Sequence, residues 1–223
     1  SCLRLSAALL ALLTSSLALA SPFAYVGSYD SNGLQRIDVA TGALTNTYTL
    51  AAPAWGVSTD NAVKKVYVTH PSANSMSIVD VPTGAVRSVM IGATPYGVVI
   101  DPETSRVFVA NAASDNVVSF LPGNPDDRVV IGMPSGFNGG SLSLSRGGNR
   151  LAVVSHERDP RIVIVDSPSN AATATQYSIT GCSTRFAGGV ALSPDGKVVY
   201  AIGANYPRMI CIIDIQDPTH PVV

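Results

Sequence analysis

The stretch of the sequence with the most reactive side chains is "HERDPR", residues 156–161. It places an imidazole, two carboxylates and two guanidinium groups within six residues. Guanidinium groups bind carboxylates and phosphates through paired hydrogen bonds, and an imidazole can act as a general acid or base near neutral pH. We therefore select His156, Glu157 and Arg158 as candidates for binding an acidic or hydroxylated ligand. The same composition also suits an exposed, solvated hairpin tip.

Four more polar residues join these candidates because the repeats described below bring their loops to the same end of the molecule. They are His70, Asn111, Arg185 and Arg208. His70 stands where the next repeat has Asn111. We predict no metal site, because His70 and His156 lie two repeats apart and no further ligands are spaced around them.

No catalytic residue can be assigned from motifs. The sequence has no Gly-x-Ser-x-Gly turn for a nucleophilic serine and no His-Glu-x-x-His zinc helix. It also has no Cys-x-x-Cys-His haem attachment and no glycine-rich phosphate loop. We therefore expect no cofactor, and we favour a protein without catalytic activity.

The N-terminal residues 1–20 have the layout of a secretory signal peptide. One arginine precedes an apolar run that ends in small residues, "SSLALA", and the run is short for a membrane crossing. We expect cleavage after Ala20, which leaves residues 21–223 as one secreted or periplasmic domain without a membrane span.

Two cysteines remain in that domain, Cys182 and Cys211. In an oxidising compartment an even pair can form a disulfide, whereas two separate buried thiols would serve equally well. Sequence gives no distance between them, so both alternatives stay open.

Composition narrows the classes of partner. Hydrophobic residues make up 46% of the chain, charged residues only 13%, and the formal net charge is −1. Such a chain is too apolar for disorder, and it lacks the basic excess that nucleic-acid binding requires. A protein or a polysaccharide remains as the expected macromolecular partner.

The chain repeats itself at intervals of 40 to 50 residues. Strand centres spaced in this way are Tyr25, Tyr67, Phe108, Val153 and Tyr200. An apolar strand precedes most of these and two more follow, separated by turns such as "SPDGK", "DVATG" and "DVPTG". The turn aspartates accept backbone hydrogen bonds and the glycines allow positive φ, so we assign them structural roles.

This pattern predicts an all-β protein, a β-propeller of four-stranded antiparallel blades. A β-sandwich with regular short strands is the competing architecture. We count about five blades, three full and two incomplete, and expect a fragment of a propeller with six to eight blades. The incomplete ones begin at a second strand and end inside a fourth.

The words "KKVYVTHPSANSMSIVDVPTG" and "PYGVVIDPETSRVFVANAASDNVVSF" resemble the YVTN-type repeat of secreted and surface-associated propellers. The opening "AYVGSYDSNGLQRIDVATGALT" also resembles lactonase-like seven-bladed propellers. The resemblance covers about residues 23–223 and implies a propeller fold. Neither motif is catalytic. Because the scaffold signal is strong and catalytic signatures are missing, we favour a secreted scaffold that binds a partner through its loop face. The alternative is a lactonase-like or isomerase-like enzyme of small sugar acids or lactones at the central channel, which rests on the second resemblance and on His156, Arg185 and Arg208.

Two aromatic residues occupy equivalent positions before the glycine of an inner strand. They are Trp55 in "WGVS" and Tyr96 in "YGVV". They either line the mouth of the channel or pack between blades, and the sequence does not decide between these positions.

Overall fold

The computed structural model of the protein describes residues 22–60, 62–155, 161–170, 175–179, 186–203, 209–217 and 219–222. These stretches contain β-strands and two short 3₁₀ turns. No helix in them has the length and apolarity that crossing a membrane requires. The predicted signal peptide, residues 1–20, lies outside the described residues.

The described strands form five antiparallel sheets, and each sheet uses strands that are consecutive in the sequence. Three sheets have four strands, and the first and last have three. We call the sheets blades one to five. Blade one consists of β1 (Phe23–Gly27), β2 (Gly33–Asp38) and β3 (Leu44–Thr49), and blade two of β4 (Val57–Thr59), β5 (Lys65–His70), β6 (Ser75–Asp80) and β7 (Val86–Met90). Blade three consists of β8 (Pro95–Ile100), β9 (Val107–Asn111), β10 (Asn116–Leu121) and β11 (Asn124–Gly132), blade four of β12 (Gly139–Leu144), β13 (Arg150–Ser155), β14 (Ile162–Asp166) and β15 (Thr175–Ile179), and blade five of β16 (Phe186–Leu192), β17 (Val198–Gly203) and β18 (Met209–Asp214).

The core lies between successive blades rather than inside any one of them. One apolar cluster joins blades one and two, with Leu34 and Tyr48 packed against Val66 and Val68. Equivalent clusters join each following pair of blades. Full burial of a Val, Leu or Phe side chain stabilises the folded state by about 1.5–3 kcal/mol relative to an exposed side chain. Each blade therefore depends on its neighbours for stability.

The stacking explains why the second strands read as continuous apolar runs. In β5 and β9 nearly every side chain is buried, because neighbouring blades cover both faces of the sheet. Strands of a sheet with one solvated face would alternate between polar and apolar residues instead. The sheet count agrees with the predicted three complete blades between two incomplete ones.

Strand pairing corrects one of the predicted strand centres. Pro95 pairs with Asn111 and Gly139 pairs with Ser155, which makes Asn111 and Ser155 equivalent. The residue three positions earlier is Phe108 in β9 and Ala152 in β13. Ala152 packs toward blade five, as Phe108 packs toward blade four. The true equivalent of Phe108 is thus Ala152, one residue before the expected Val153.

The turn aspartates have the predicted structural role. Asp38 Oδ1 accepts hydrogen bonds from the backbone N–H groups of Ala40 and Thr41. The carboxylate of Asp80 accepts in the same way from Thr83. The glycines that close these two turns have φ values of 71° and 74°, which only glycine adopts at low cost.

The blades have two distinct ends. We call the end where second strands run into third strands the loop face, and the opposite end the turn face. At the loop face of blades two and three, this connection is a 3₁₀ turn, Pro71–Ala73 and Ala112–Ser114. The connections from a fourth strand to the next blade reach the loop face too.

Candidate functional site

A cavity of about 210 Å³ opens on the loop face of the first three blades. Tyr29 comes from the connection between β2 and β1, Trp55 from the connection into β4, and Tyr96 from β8. The described lining residues are Tyr29, Pro53, Trp55, Pro71, Ser72 and Tyr96. We call them the aromatic pocket.

Trp55 contacts both tyrosine rings of the aromatic pocket at steep angles. The centroids of Tyr29 and Trp55 are 5.6 Å apart with planes at 73°, and those of Trp55 and Tyr96 are 5.0 Å apart at 60°. The contact of Tyr29 with Trp55 is edge-to-face, a preferred geometry for aromatic pairs, and that of Trp55 with Tyr96 is tilted. Trp55 nevertheless keeps 45% of its surface exposed and Tyr29 65%. The rings hold each other in place and still offer surface to a ligand.

The backbone beneath the rings is held by one hydroxyl group. Thr69 Oγ1 accepts a hydrogen bond from Gly56 N at 2.9 Å and donates one to the carbonyl oxygen of Tyr96 at 2.6 Å. Trp55 N in turn donates to the carbonyl oxygen of Thr69 at 2.9 Å. The second strand of blade two thereby fixes the backbone at both Trp55 and Tyr96.

Glycine after each aromatic residue lets the inner strands of neighbouring blades approach closely. A Cβ atom at Gly97 would lie 2.6 Å from the carbonyl oxygen of Gly140 in blade four. A Cβ atom at Gly56 would likewise collide with the carbonyl oxygen of Tyr96. The glycines of the "WG" and "YG" dipeptides are therefore required for the close packing of neighbouring blades.

His70 is fully buried at the loop-face end of β5. Its Nδ1 lies 2.9 Å from the carbonyl oxygen of Pro53, and its Nε2 lies 2.7 Å from Ser77 Oγ. Burial lowers the pKa of His70, while the hydrogen bond to Pro53 opposes that shift. These contacts give His70 a structural role beside the aromatic pocket, since Pro53 lines it. Ligand binding by His70 itself stays a prediction.

Asn111 is the equivalent residue of blade three and is also fully buried. Its Nδ2 donates to the carbonyl oxygen of Ile91 at 3.3 Å and to Asn116 Oδ1 at 2.9 Å. Its side chain also lies so close to Gly92 that a Cβ atom there would collide with it. Asn111 thus ties the entry into blade three to its second strand, and its ligand-binding role likewise stays a prediction.

The other predicted ligand-binding residues lie outside the described residues. They are His156, Glu157, Arg158, Arg185 and Arg208. Arg161, which closes the "HERDPR" run, is described, and its guanidinium carbon lies 5.7 Å from the ring centroid of Phe137. Among the residues that the structure describes, no group of three His, Cys, Asp or Glu side chains is arranged to hold a metal ion.

Cys211 is disulfide-bonded and packs in the core between blades four and five. The other half of the predicted pair, Cys182, lies outside the described residues. The pairing of these two cysteines therefore stays a prediction.

Sequence reasoning weighed Trp55 and Tyr96 for the channel mouth or for packing, and the structure shows the two rings in contact and lining the aromatic pocket, while their place at a channel mouth stays a prediction. It missed Tyr29, Pro53, Pro71 and Ser72. Tyr29 lies in "SYDSNG", and Pro71 and Ser72 lie in "HPSANS", which are both loops between a second and a third strand. An aromatic or proline residue in such a loop was the available signal.

No protein-family model matches the chain, and no curated protein matches it. Several solved structures are similar to it. A putative 6-phosphogluconolactonase from Bacteroides uniformis has a TM-score of 0.70 at 21% identity, covering 87% of this chain and 64% of its own. A putative 6-phosphogluconolactonase from Bacteroides fragilis has a TM-score of 0.69 at 13% identity, covering 90% and 65%. Virginiamycin B lyase from Staphylococcus aureus has a TM-score of 0.65 at 14% identity, covering 89% and 68%.

The chain spans slightly less than two thirds of the length of the two proteins named as putative 6-phosphogluconolactonases. At these identities the similarity shows the fold alone. The predicted all-β propeller architecture and its likeness to lactonase-like propellers are confirmed at that level. The YVTN-type resemblance stays a prediction, because no family model matches.

Proposed function

We propose that this chain is part of a lactonase-like β-propeller that binds a small sugar lactone or sugar acid on its loop face. The aromatic pocket carries the proposal. Ligand sites in proteins are concave and mostly apolar, with a few polar groups that orient the ligand. This pocket has three aromatic rings, two prolines and the Ser72 hydroxyl.

The chemistry of a sugar ring matches such walls. The C–H groups on one face of a sugar ring carry a small positive potential, and aromatic ring faces carry a negative one. Trp55, with nearly half of its surface exposed, is the ring that a sugar would stack on. The hydroxyl groups of the sugar would then form hydrogen bonds with Ser72 and with the hydroxyl groups of Tyr29 and Tyr96, which line the same pocket.

Hydrolysis of a lactone would need groups beyond these walls. Water attacks the carbonyl carbon, the ring ester C–O bond breaks, and the product is a hydroxy acid. In the proposed reaction His156 is the general base for that water. Arg185 and Arg208, which the repeat pattern predicts on the same face, would stabilise the negative charge that develops on the carbonyl oxygen.

The similar structures favour this activity over a pure scaffold. Two of them are named as putative 6-phosphogluconolactonases. Their names motivate the choice of substrates to be tested, which are gluconolactone with and without a 6-phosphate group.

The test is lactone hydrolysis by the full-length protein, followed by acid release in a pH-stat with and without chelator. We expect turnover that falls at least about tenfold in Trp55→Ala and in His156→Ala. Leu44→Ala, which alters an exposed apolar residue on β3, serves as the control and should keep full activity. Absence of turnover on both substrates would refute the enzymatic proposal.

A second function rests on the openness of the same pocket. Tyr29 and Trp55 are exposed enough for a longer chain to pass across them. A non-catalytic scaffold that binds a polysaccharide or a protein would use that surface. Oligosaccharide binding that Trp55→Ala abolishes, without hydrolysis of any lactone, would select this function over the first.

A further inference from the structure

A second cavity, of about 320 Å³, lies at the turn face between blades one and two. It is separate from the aromatic pocket, which opens at the opposite end of the blades. Its described lining is apolar except for one phenol and one guanidinium group: Pro22, Phe23, Tyr25, Arg36, Ala62, Val63 and Val81. We call it the Arg36 cavity.

Arg36 has no hydrogen-bond acceptor among the described residues. Its guanidinium carbon lies 3.6 Å from the ring centroid of Phe23, so the plane of the group stacks on an aromatic face. Its Nε is buried without a hydrogen-bond partner. Stacking on a ring face leaves the in-plane N–H donors of a guanidinium group available, and Nε is the one that is buried here. A buried donor without a partner in a folded protein requires an explanation.

Tyr25 adds a second buried donor beside the first. It is the strand partner of Arg36 across β1 and β2, so the two side chains project from adjacent positions. The Tyr25 hydroxyl is buried and has no hydrogen-bond partner among the described residues. Burial raises the pKa of Tyr25, with Arg36 acting in the opposite direction, so the phenol is neutral and able to donate.

The far wall of the cavity comes from a strained turn of blade two. Val63 has a φ of 49°, a left-handed conformation that is a genuine outlier for a β-branched residue. Its backbone N–H donates to the carbonyl oxygen of Asp60 at 2.9 Å. Strain of this kind concentrates at ligand sites, because a site needs its walls in one arrangement. Val63 is 40% exposed and lines the cavity in this conformation.

Asp60, a carboxylate whose charge acts on Tyr25, is engaged elsewhere. Asp60 lies close enough to raise the pKa of Tyr25. Its Oδ1, however, accepts a hydrogen bond from the backbone N–H of Lys64 at 2.7 Å. Asp60 is not among the lining residues of the cavity. An acceptor for the donors of Arg36 and Tyr25 inside the cavity would therefore have to come from a ligand.

We infer that the Arg36 cavity binds a small monocarboxylate with an apolar body. The carboxylate accepts hydrogen bonds from the Arg36 guanidinium group and the Tyr25 hydroxyl. The apolar body packs on Phe23, Val63 and Val81.

The balance of charges selects a carboxylate over a phosphate. One guanidinium group matches one negative charge, and its parallel N–H donors fit the two oxygens of a carboxylate. A dianionic phosphate would leave a second charge among apolar walls, which is unfavourable. The apolar majority of the lining selects against a free inorganic anion.

The test uses hexanoate as probe and hexanamide as its neutral match, with the full-length protein in calorimetric titrations at millimolar probe. We expect hexanoate to bind and hexanamide to bind at least about tenfold more weakly, because the amide carries no charge for Arg36. Arg36→Gln should weaken hexanoate binding by about tenfold or more, and Tyr25→Phe by several-fold. Arg87→Gln, which removes an exposed arginine from β7, is the matched control and should leave the affinity unchanged.

Equal binding of hexanoate and hexanamide would overturn the inference, as would unchanged affinity in Arg36→Gln or no binding at millimolar concentration. If Arg36→Gln does not fold, Tyr25→Phe and the comparison of acid with amide decide on their own. Lactone hydrolysis plays no part in these measurements, so the two proposals stand or fall separately.

Discussion

The hydroxyl group of Thr69 donates a hydrogen bond to the carbonyl oxygen of Tyr96, 2.6 Å away, and thereby joins blade two to blade three beside the aromatic pocket. Thr69 Oγ1 also accepts a hydrogen bond from Gly56 N. Thr69 is the last residue of the motif "VYVT". A residue that the sequence pattern assigns to a strand therefore also connects two blades.

Replacing Thr69 by valine should therefore destabilise the protein. Thr69→Val keeps the shape but leaves Gly56 N and the Tyr96 carbonyl without this partner, at a cost of about 1–3 kcal/mol. Urea unfolding measures the change, followed by the fluorescence of Trp55, the only tryptophan of the chain. Thr69→Ser retains the hydroxyl and should lose less than Thr69→Val; an equal loss in both would show that the bridge is unimportant.

Gly97 should not tolerate a methyl group. A Cβ atom there would lie 2.6 Å from the carbonyl oxygen of Gly140, which is backbone and cannot rotate away. We expect Gly97→Ala to destabilise by about 1–3 kcal/mol, the usual range for an overpacked core. Gly123→Ala is the control, because nothing lies within 4 Å of its added Cβ. Thermal unfolding of the two variants should differ clearly, and matching midpoints would contradict the steric argument.

Arg150 should be the strongest polar link between blades four and five. Its Nε and Nη2 donate to the two carboxylate oxygens of Asp166, and its Nη1 lies 2.9 Å from the carbonyl oxygens of both Gly196 and Ile215. Only 19% of its side chain is exposed. Arg150→Met should cost about 2–4 kcal/mol, since it leaves Asp166 and two carbonyl groups without their donor.

A pair on blade two provides the comparison for Arg150. Lys65 Nζ lies 3.1 Å from Asp80 Oδ2, and both side chains are about one third exposed. Lys65→Met should change the free energy of unfolding by less than about 1 kcal/mol, as is usual for solvent-exposed ion pairs. Chemical denaturation of Arg150→Met and Lys65→Met measures the two losses of unfolding free energy. A larger loss in Lys65→Met than in Arg150→Met would contradict the prediction.

His70 should make stability depend on pH below neutrality. Burial lowers its pKa in the folded protein, so between the folded value and the ordinary value of about 6.5 the unfolded chain binds more protons. Stability should therefore fall as the pH drops from 7.5 to 5. His70→Asn, which introduces the residue found at position 111, removes this titration and should flatten the decline.

Urea unfolding at several pH values measures that effect. His220→Asn, which changes a largely exposed ring, is the control and should keep the decline of the natural chain. A decline of the same size in His70→Asn would show that other groups cause it.

The fold could be predicted because blades repeat. The strand motifs recur along the chain. Turns such as "DVATG" and "DVPTG" contain Asp and Gly, whose effect on the backbone depends only on neighbouring residues. The offset between Val153 and Ala152 shows the limit of this approach. In a strand that is buried on both faces, valine and alanine can occupy either face. The sequence pattern therefore does not show which residue faces which blade, and only the pairing with the neighbouring strand reveals it.

The site was less accessible to sequence reasoning. A polar residue at the end of a strand can face a ligand or turn back toward a carbonyl group, and the sequence is the same in both cases. His70 and Asn111 turn back, because the connections from the preceding fourth strands place the Pro53 and Ile91 carbonyl oxygens within reach. Tyr29 joins Trp55 only through packing between blades, which no local pattern encodes.

The origin of the three rings has an evolutionary consequence. Tyr29 belongs to the first unit, Trp55 to the link between the first and second, and Tyr96 to the third. Duplicating one unit copies strands, turns and the glycines of the inner strands, but it cannot copy a pocket shared by three. Such a chain can lengthen by duplication without multiplying its site, and a change in one loop can alter what is recognised while the inherited scaffold stays intact.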